Sequence, residues 1–200
     1  MLSQSQQKNE RSQNALKNAA PANASAKNVF YLTVNLFFEV IVVTVFKLPK
    51  MTKQEMWKLI RRQRLCRIAF KGDEYPYMAP FQYVVLDGTL YFHFTDYGKK
   101  MKLLEKDKRI CVEIEEYRED LSEYSFIVLR GTLKVVTDPK ERAEALHNLS
   151  EEGKQKLSPN FLPAHGFKKE DGWNSLTPTN PSLVAIKLEN ITQEIGLKSP

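Results

Sequence analysis

Hydrophobic and polar residues alternate over short segments through most of the chain beyond residue 60, which is the pattern of β-strands. The alternating segments are "LCRIAFK", "YPYMAPFQYVVL", "TLYFHF", "RICVEIEE", "YSFIVLRGTLKVVT" and "LVAIKLENITQEI". Asp87-Gly88 separates the second segment from the third and predicts a tight hairpin turn. Pro76 and Pro80 lie inside the second segment. Because proline donates no ladder hydrogen bond, they predict an edge strand, a bulge, or backbone that faces another partner.

Helical patterns are few and short. Thr52 and Glu55 have the spacing of a capping box, and the residues that follow have apolar positions at helical intervals. A second helix is predicted after Gly98, and a third after the Asp138-Pro139 pair, over "KERAEALHNL". Residues 150–182 show little periodicity, which predicts a functional or mobile loop that shapes a pocket. Six strands with few helices indicate a mainly β protein, a closed or partly open antiparallel barrel.

The first fifty residues differ from the rest. Residues 1–28 are rich in Gln, Asn, Ser, Ala and Lys, a composition typical of disorder. Residues 29–46 are mostly apolar and leave three interpretations open: a dispensable extension before a domain that begins at Met51, a membrane anchor, or a structured element. Asn35 and Glu39 count against the anchor because a central acidic residue is costly in a bilayer. We therefore expect an extension over 1–50, a domain over 51–200, and no membrane attachment.

The charge distribution argues against nucleic-acid binding. The formal net charge is +6 over 200 residues, but the first fifty contribute +4 of it. The remaining residues hold 24 basic and 22 acidic side chains, so no basic stripe for a phosphate backbone is predicted there. Cys66 and Cys111 are the only cysteines and lie in apolar strand segments, which predicts buried reduced thiols in a cytoplasmic protein.

Two lysines at the start of the second helix are the clearest candidate for chemistry. Lys99 and Lys100 follow a strand that ends His-Phe-Thr, at a position where exposed amides and the helix dipole attract anions. Thr95 offers a hydroxyl, Gly98 allows close approach of the backbone, and His93 shares a strand face with Thr95. This arrangement predicts a phosphate site.

Other interpretations of these residues stay open. The lysines could form a solvated helix start that Glu105 and Asp107 neutralise. His93 could be a buried barrel histidine, a phosphate or ring contact, or a haem or metal ligand. The three histidines do not have the spacing of a zinc site, so no metal site is predicted.

The run "YPYMAPFQYVVLDGTLYFHFTDYGKKMKLLEKDKRICVEIEE" resembles the flavin-binding core of the pyridoxamine 5′-phosphate oxidase-like split-barrel flavoproteins, in particular the nitroimidazole-resistance branch. The resemblance extends through "YSFIVLRGTLKVVTDPKERAEAL" and covers about residues 52–196. It implies a six-stranded antiparallel split β-barrel with a few short helices. It also implies FMN as cofactor and a homodimer with the flavin at the subunit interface.

The resemblance further implies a set of cofactor contacts and an activity. The flavin ring would lie along the strand that holds Met78, Ala79, Pro80 and Phe81. The phosphate would be held at the second helix by Thr95, Lys99 and Lys100, with His93 beside them. Ser125 and Phe126 would reach the flavin of the partner subunit. The implied activity is an oxidoreductase or flavin reductase of unassigned substrate, with an electron donor such as NAD(P)H. No catalytic acid or base stands out.

Vitamin B6 oxidation is not expected, because the chain has no Arg or His after residue 165 to hold pyridoxal phosphate. Two alternatives to an FMN enzyme stay open: a non-catalytic flavin- or haem-binding module, and a deazaflavin-dependent reductase.

Overall fold

A computed structural model describes residues 46–200 together with two short strands, β1 (Phe30–Tyr31) and β2 (Val42–Val43), which pair antiparallel. The chain divides into two compact units, Met1–Lys47 and Leu48–Pro200. The predicted disorder of residues 1–28 and most of the apolar run 29–46 lie outside the described residues. In the part of the chain that the structure describes, no helix is long and apolar enough to cross a membrane.

The second unit is built on one antiparallel sheet of seven strands. In chain order these are β3 (Leu65–Phe70), β4 (Tyr77–Gln82), β5 (Val84–Leu86), β6 (Thr89–Thr95), β7 (Arg109–Tyr117), β8 (Tyr124–Val135) and β9 (Leu183–Lys198). Their order in the sheet is β4-β3-β7-β8-β9-β6-β5. The predicted mainly β fold, an antiparallel split barrel with few helices, is confirmed. The count rises from six strands to seven because the segment predicted as one strand is divided at Tyr83.

This division explains how the sheet closes. β4 and β5 are the two outermost strands of the sheet, yet only Tyr83 separates them in the chain. One continuous run of chain therefore borders both edges, so the sheet curls into a barrel. Among the described residues β4 pairs only with β3, and this open side makes the barrel split. The predicted edge position of Pro80 is confirmed.

Aromatic side chains fill the barrel. Phe81 lies 6.1 Å from Phe70 and 5.0 Å from Phe94, measured between ring centroids, and Phe70 lies 6.0 Å from Phe94. All three are at most 5% exposed. Burying a side chain of this size stabilises the fold by about 1.5–3 kcal/mol.

Within residues 46–200 three α-helices accompany the sheet: α1 (Lys53–Arg62), α2 (Lys99–Lys106) and α3 (Pro139–Lys156). The predicted capping box is present, since the N–H of Glu55 donates to Thr52 Oγ1 at 3.2 Å and the N–H of Thr52 donates to the Glu55 carboxylate at 2.7 Å. Asp138 caps α3 with its side chain alone, accepting from the N–H of Glu141 at 2.8 Å. The hairpin turn is confirmed as well, with positive φ angles of 47° and 77° at Asp87 and Gly88.

A second layer covers the outer face of β6 and β9. Leu146 and Leu149 of α3 pack there with Leu162 and Trp173 from the segment that follows the helix. This segment was predicted as a loop over 150–182. In the structure residues 150–156 continue α3, and half of the rest forms short 3₁₀ turns, the longest of them Pro159–His165. Tertiary packing against β6 orders a stretch that has little periodicity of its own.

Candidate functional site

Strand β6 contributes alternate side chains to the two faces of the sheet. Phe92 and Phe94 point into the barrel, whereas His93 and Thr95 lie on the outer face. His93 pairs through its backbone with Ala185 of β9, and its side chain is only 7% exposed. The predicted shared face of His93 and Thr95 is thus present, with the histidine buried under the second layer.

A narrow crevice lies where β4 and β6 separate. We call it the β4–β6 crevice; five of the predicted site residues line it, namely Pro80, Phe81, His93, Thr95 and Lys100. The 3₁₀ turn Pro159–His165 covers it from outside through Phe161 and His165. Its volume is about 20 Å³, which is room for about one water molecule.

The start of α2 stands at this crevice. Gly98 is the N-cap residue with a φ of 93°, a conformation that suits glycine, and it supplies no side chain to cap the helix. The first turn contains no acidic residue. Its amides therefore retain unsatisfied N–H groups, and the two lysines add positive charge to the positive end of the helix.

In the described part of the chain Lys99 and Lys100 have no acidic partner. Within residues 46–200 no ion pair includes Lys99 or Lys100, and Asp107, considered as a neutralising group, pairs instead with Arg109 at 2.6 Å and with Lys71 at 3.8 Å. Both ammonium groups lie over aromatic rings. Lys99 Nζ is 4.9 Å from the Tyr77 ring centroid, and Lys100 Nζ is 4.9 Å from that of Phe81. Lys100 is half-buried, and desolvation lowers its pKa.

His93 and His165 meet inside the crevice. Their ring centroids are 4.6 Å apart with planes 14° from parallel, and His93 Nε2 contacts His165 Nδ1. Burial, and then the charges of His165 and Lys100, hold the pKa of His93 well below its usual range. Burial and then Lys100 lower the pKa of His165 to about 4. Both imidazoles are therefore neutral at pH 7.

The other nitrogen of each ring, Nδ1 of His93 and Nε2 of His165, is buried and has no hydrogen-bond partner among the described residues. Buried polar atoms are normally paired. In a neutral pair that shares one hydrogen bond, one outer nitrogen donates and the other accepts, so each can hydrogen-bond to a ligand or a water molecule. No group of three or more potential metal-ligating side chains converges anywhere in the described part of the chain.

His165 was not among the predicted site residues. It is 72 positions from His93 in sequence, and no local pattern links them. The only signal was that it falls in the segment predicted to shape a pocket.

The predicted ring-binding strand presents two faces. Met78 and Pro80 lie on the outer face and are exposed, Met78 by 62%. Ala79 and Phe81 point inward and pack in the core, so they can offer a ligand mainly backbone atoms. The Thr95 hydroxyl donates to the carbonyl oxygen of Tyr97 at 3.0 Å, which leaves its lone pairs free to accept.

Ser125 and Phe126 do not join these residues. They open β8 and pair with Lys198 and Leu197 at the end of β9, whereas the crevice adjoins Leu183 at its start. In one chain they lie at the far end of a 16-residue strand. Their predicted contact with the flavin of a partner subunit stays a prediction.

The residues at the crevice fit the phosphate end of a nucleotide cofactor. Lys100 and the two imidazoles with unpartnered nitrogens line the crevice, and no described acidic residue lines it. Lys99 and the uncapped amides at the start of α2 adjoin Lys100, and neither lysine has an ion pair within residues 46–200. The fold is therefore a split β-barrel, and the crevice is its candidate site for an anionic ligand.

Comparison with known proteins specifies the family. The family model for pyridoxamine 5′-phosphate oxidase matches residues 52–180, so the chain belongs to this family. A search of curated proteins found no match.

Solved structures share the fold. An FAD-binding protein from Mesorhizobium loti is 21% identical over 78% of this chain and 100% of its own, with a TM-score of 0.56. A protein provisionally assigned to 5-nitroimidazole antibiotic resistance, from Bacteroides thetaiotaomicron, is 17% identical over 89% and 96%, with a TM-score of 0.56. An FAD-binding protein from Mycobacterium smegmatis is 16% identical over 76% and 100%, with a TM-score of 0.52. The resemblance stated from the sequence is confirmed at the level of family and fold, and a protein assigned to nitroimidazole resistance is among the structures of similar fold.

Proposed function

We propose that this protein binds a flavin, specifically FMN, with the phosphate at the start of α2. The observation that carries the proposal is the pair Lys99 and Lys100, which stands at an uncapped helix start without an acidic partner in the described residues. A dianion there relieves the repulsion between the ammonium groups and satisfies the helix amides. Flavin binding by two proteins of similar fold supports the same ligand class.

The flavin ring is assigned to the outer face of β4. Met78 and Pro80 are exposed there, and proline leaves that stretch of backbone without one ladder donor. A planar apolar ring buries such a surface well. Because the edge is open on one side, we propose that a second copy of the chain covers the ring and brings Ser125 and Phe126 to it.

The proposed activity is an FMN-dependent oxidoreductase or flavin reductase with an electron donor such as NAD(P)H. FMN, when bound, carries out hydride or electron transfer, and the protein orients it and tunes its electronics. In this assignment Lys99 and Lys100 hold the phosphate, Thr95 turns its hydroxyl from the Tyr97 carbonyl to a phosphate oxygen, and His93 lies beside them. The substrate is left unassigned.

Purified protein tests the proposal directly. The expected result is a yellow protein with flavin absorbance, from which mass spectrometry of the released small molecule identifies FMN. Equilibrium titration of the apoprotein with FMN, FAD, a deazaflavin and haem then ranks the cofactors. Tightest binding of FMN supports the proposal, and a colourless apoprotein that binds none of the four overturns it.

The alternatives are separated by the same material. The buried His93–His165 pair is the feature that favours haem, since imidazole is a common axial ligand. A Soret band would therefore identify a haem-binding module, and tight binding of the deazaflavin would identify a deazaflavin-dependent reductase. Bleaching of bound flavin by NADH or NADPH favours an enzyme over a storage or sensing module.

A further inference from the structure

We propose that His165 is part of the anion site and that binding of a dianion at the α2 start draws a proton onto the His93–His165 pair. The pair would thus become a third cationic contact beside Lys99 and Lys100. This inference rests on the proposed anion site and adds to it a residue from a distant segment and a coupling to pH.

Among the described residues, the crevice contains basic groups and no acidic one. The residues that line it include Lys100, His93 and His165 as titratable groups and no carboxylate. Of the elements packed against the pair, α2 contributes Lys100, while β4 contributes the uncharged Gln82 and the covering segment contributes Phe161. On the same face of β6, Tyr91 donates to Glu141 at 2.7 Å, and this carboxylate also accepts from Lys187 at 2.8 Å. Nothing acidic in the described crevice can hold a proton on the pair.

The outer nitrogens of the pair, Nδ1 of His93 and Nε2 of His165, are the atoms that would contact the anion. Each imidazole is 7% exposed, and each directs one ring nitrogen at its neighbour while the other has no described partner. A neutral imidazole can donate from one nitrogen only, so a neutral pair that shares one hydrogen bond cannot donate from both of its outer nitrogens. One added proton makes both outer nitrogens donors. That is the form an anion prefers.

A bound dianion would change the electric field at the two imidazoles. In the protein alone, burial and the Lys100 charge keep both imidazoles neutral. A dianion beside Lys100 places negative charge next to the pair. Two negative charges within a few ångströms are enough to raise the pKa of a buried imidazole back to near neutral pH. The proton comes from solvent or buffer, and an N–H bond is the only bond formed.

The covering segment permits this response without unfolding. The crevice holds about 20 Å³, so a phosphate group must widen it. Leu162 is fully buried and anchors the 3₁₀ turn, whereas Phe161 and Ala164 on either side are more exposed. The turn can therefore shift outward by a small amount while His165 keeps contact with the ligand.

Isothermal titration calorimetry tests the coupling. FMN is titrated at pH 7.5 in phosphate-free PIPES and Tris, whose ionisation enthalpies differ, so the difference in observed heat gives the protons taken up. We expect uptake of up to about one proton by the unaltered protein. His165→Gln should reduce the uptake by at least half and weaken FMN binding about threefold to tenfold. His147→Gln, at an exposed position of α3, is the matched control and should change neither.

Nuclear magnetic resonance of the unaltered protein keeps the test independent of how the variants fold. The chain has only three histidines, so imidazole ¹³C and ¹⁵N shifts can be followed with and without FMN, and again with sodium sulfate, a dianion that does not titrate near neutral pH. A buried imidazole that becomes protonated with ligand supports the inference. FMN binding with both imidazoles neutral and no proton uptake overturns it while the proposed function stands.

If FMN does not bind but sulfate protonates the pair, the proposed function fails and the anion site stands. If FMN does not bind and neither ligand alters the histidine shifts, both fail.

Discussion

The indole of Trp173 lies directly against Gly153 in the last turns of α3, so that a side-chain carbon at Gly153 would overlap the ring. The same indole meets the edge of the His165 imidazole, with ring centroids 5.2 Å apart. One glycine in the second layer is thereby linked through one indole to the β4–β6 crevice. Packing outside the barrel thus sets the position of a residue in the candidate site.

Gly153→Ala is expected to destabilise the protein by about 1–3 kcal/mol, because the added methyl group must displace the Trp173 ring. In an exposed helix the same change would be stabilising. Urea unfolding followed by tryptophan fluorescence measures the difference. Glu144→Ala, at an exposed position of the same helix, should change the free energy of unfolding by less than about 0.5 kcal/mol. An increase in stability for Gly153→Ala would contradict the packing described.

Removing both ammonium groups of the α2 start tests the phosphate contact. Lys99→Ala combined with Lys100→Ala is expected to weaken FMN binding at least tenfold, or by about 1.4 kcal/mol. Fluorescence quenching of FMN during titration measures the affinity. The matched control is Lys102→Ala, an exposed lysine one turn along the same helix, which should stay within about twofold of the unaltered protein. Equal affinity for the double variant and the control would count against the site.

Acid should destabilise the fold in a window set by the histidines. The pKa of His165 is lowered to about 4 in the folded protein, whereas the unfolded chain titrates near 6.5. Stability is therefore full above about pH 7 and is lost as the pH falls from 6.5 towards 4, since the unfolded state then binds the extra proton.

His165 alone accounts for a loss of about 2 kcal/mol between pH 7.5 and pH 5. Urea unfolding at several pH values measures the slope. His165→Gln should flatten it, and His147→Gln should leave it unchanged. A slope that is identical in all three proteins would show that His165 is not held neutral by the fold.

Truncation tests where the domain begins. A chain that starts at Met51 keeps the hydrogen bond from Met51 N to Gly196 O at 2.9 Å but loses the one from Lys198 N to Pro49 O at 3.0 Å. It is expected to fold and to bind FMN, with a loss of stability of about 1 kcal/mol. A chain that starts at Leu48 keeps both bonds and should match the full-length protein. Circular dichroism and FMN titration compare the three. Failure of the Leu48 chain to fold would show that the first 47 residues belong to the domain.

Local chemistry made the strands, caps and hairpin predictable. The alternation of apolar and polar residues indicates a strand with one buried face. Thr52 and Asp138 accept hydrogen bonds from amides three residues away, and Asp87-Gly88 adopts the positive φ angles of a tight turn. Each of these signals lies within a few residues. The proposed anion site at the α2 start could be predicted for the same reason. It depends only on Gly98 and on the residues that follow it.

Long-range contacts account for what the sequence pattern missed. The strand break at Tyr83 follows from its hydroxyl, which donates to the carbonyl oxygen of Ile60 at 2.7 Å, and from its amide, which donates to Arg64 O at 3.2 Å. The extra turns of α3 depend on Trp173, and the partner of His93 comes from a segment with no periodicity. Each of these contacts joins residues that are far apart in the chain, so the local sequence pattern does not indicate it.

The run from Tyr77 to Leu86, which borders both edges of the sheet, also constrains the order of folding. β3 must register on one half of this run and β6 on the other before every strand has its full complement of neighbours. Neither half of the barrel can be completed ahead of the other, so the two should assemble in a single cooperative step. A substitution at Tyr83, which connects the two halves, would therefore destabilise both of them.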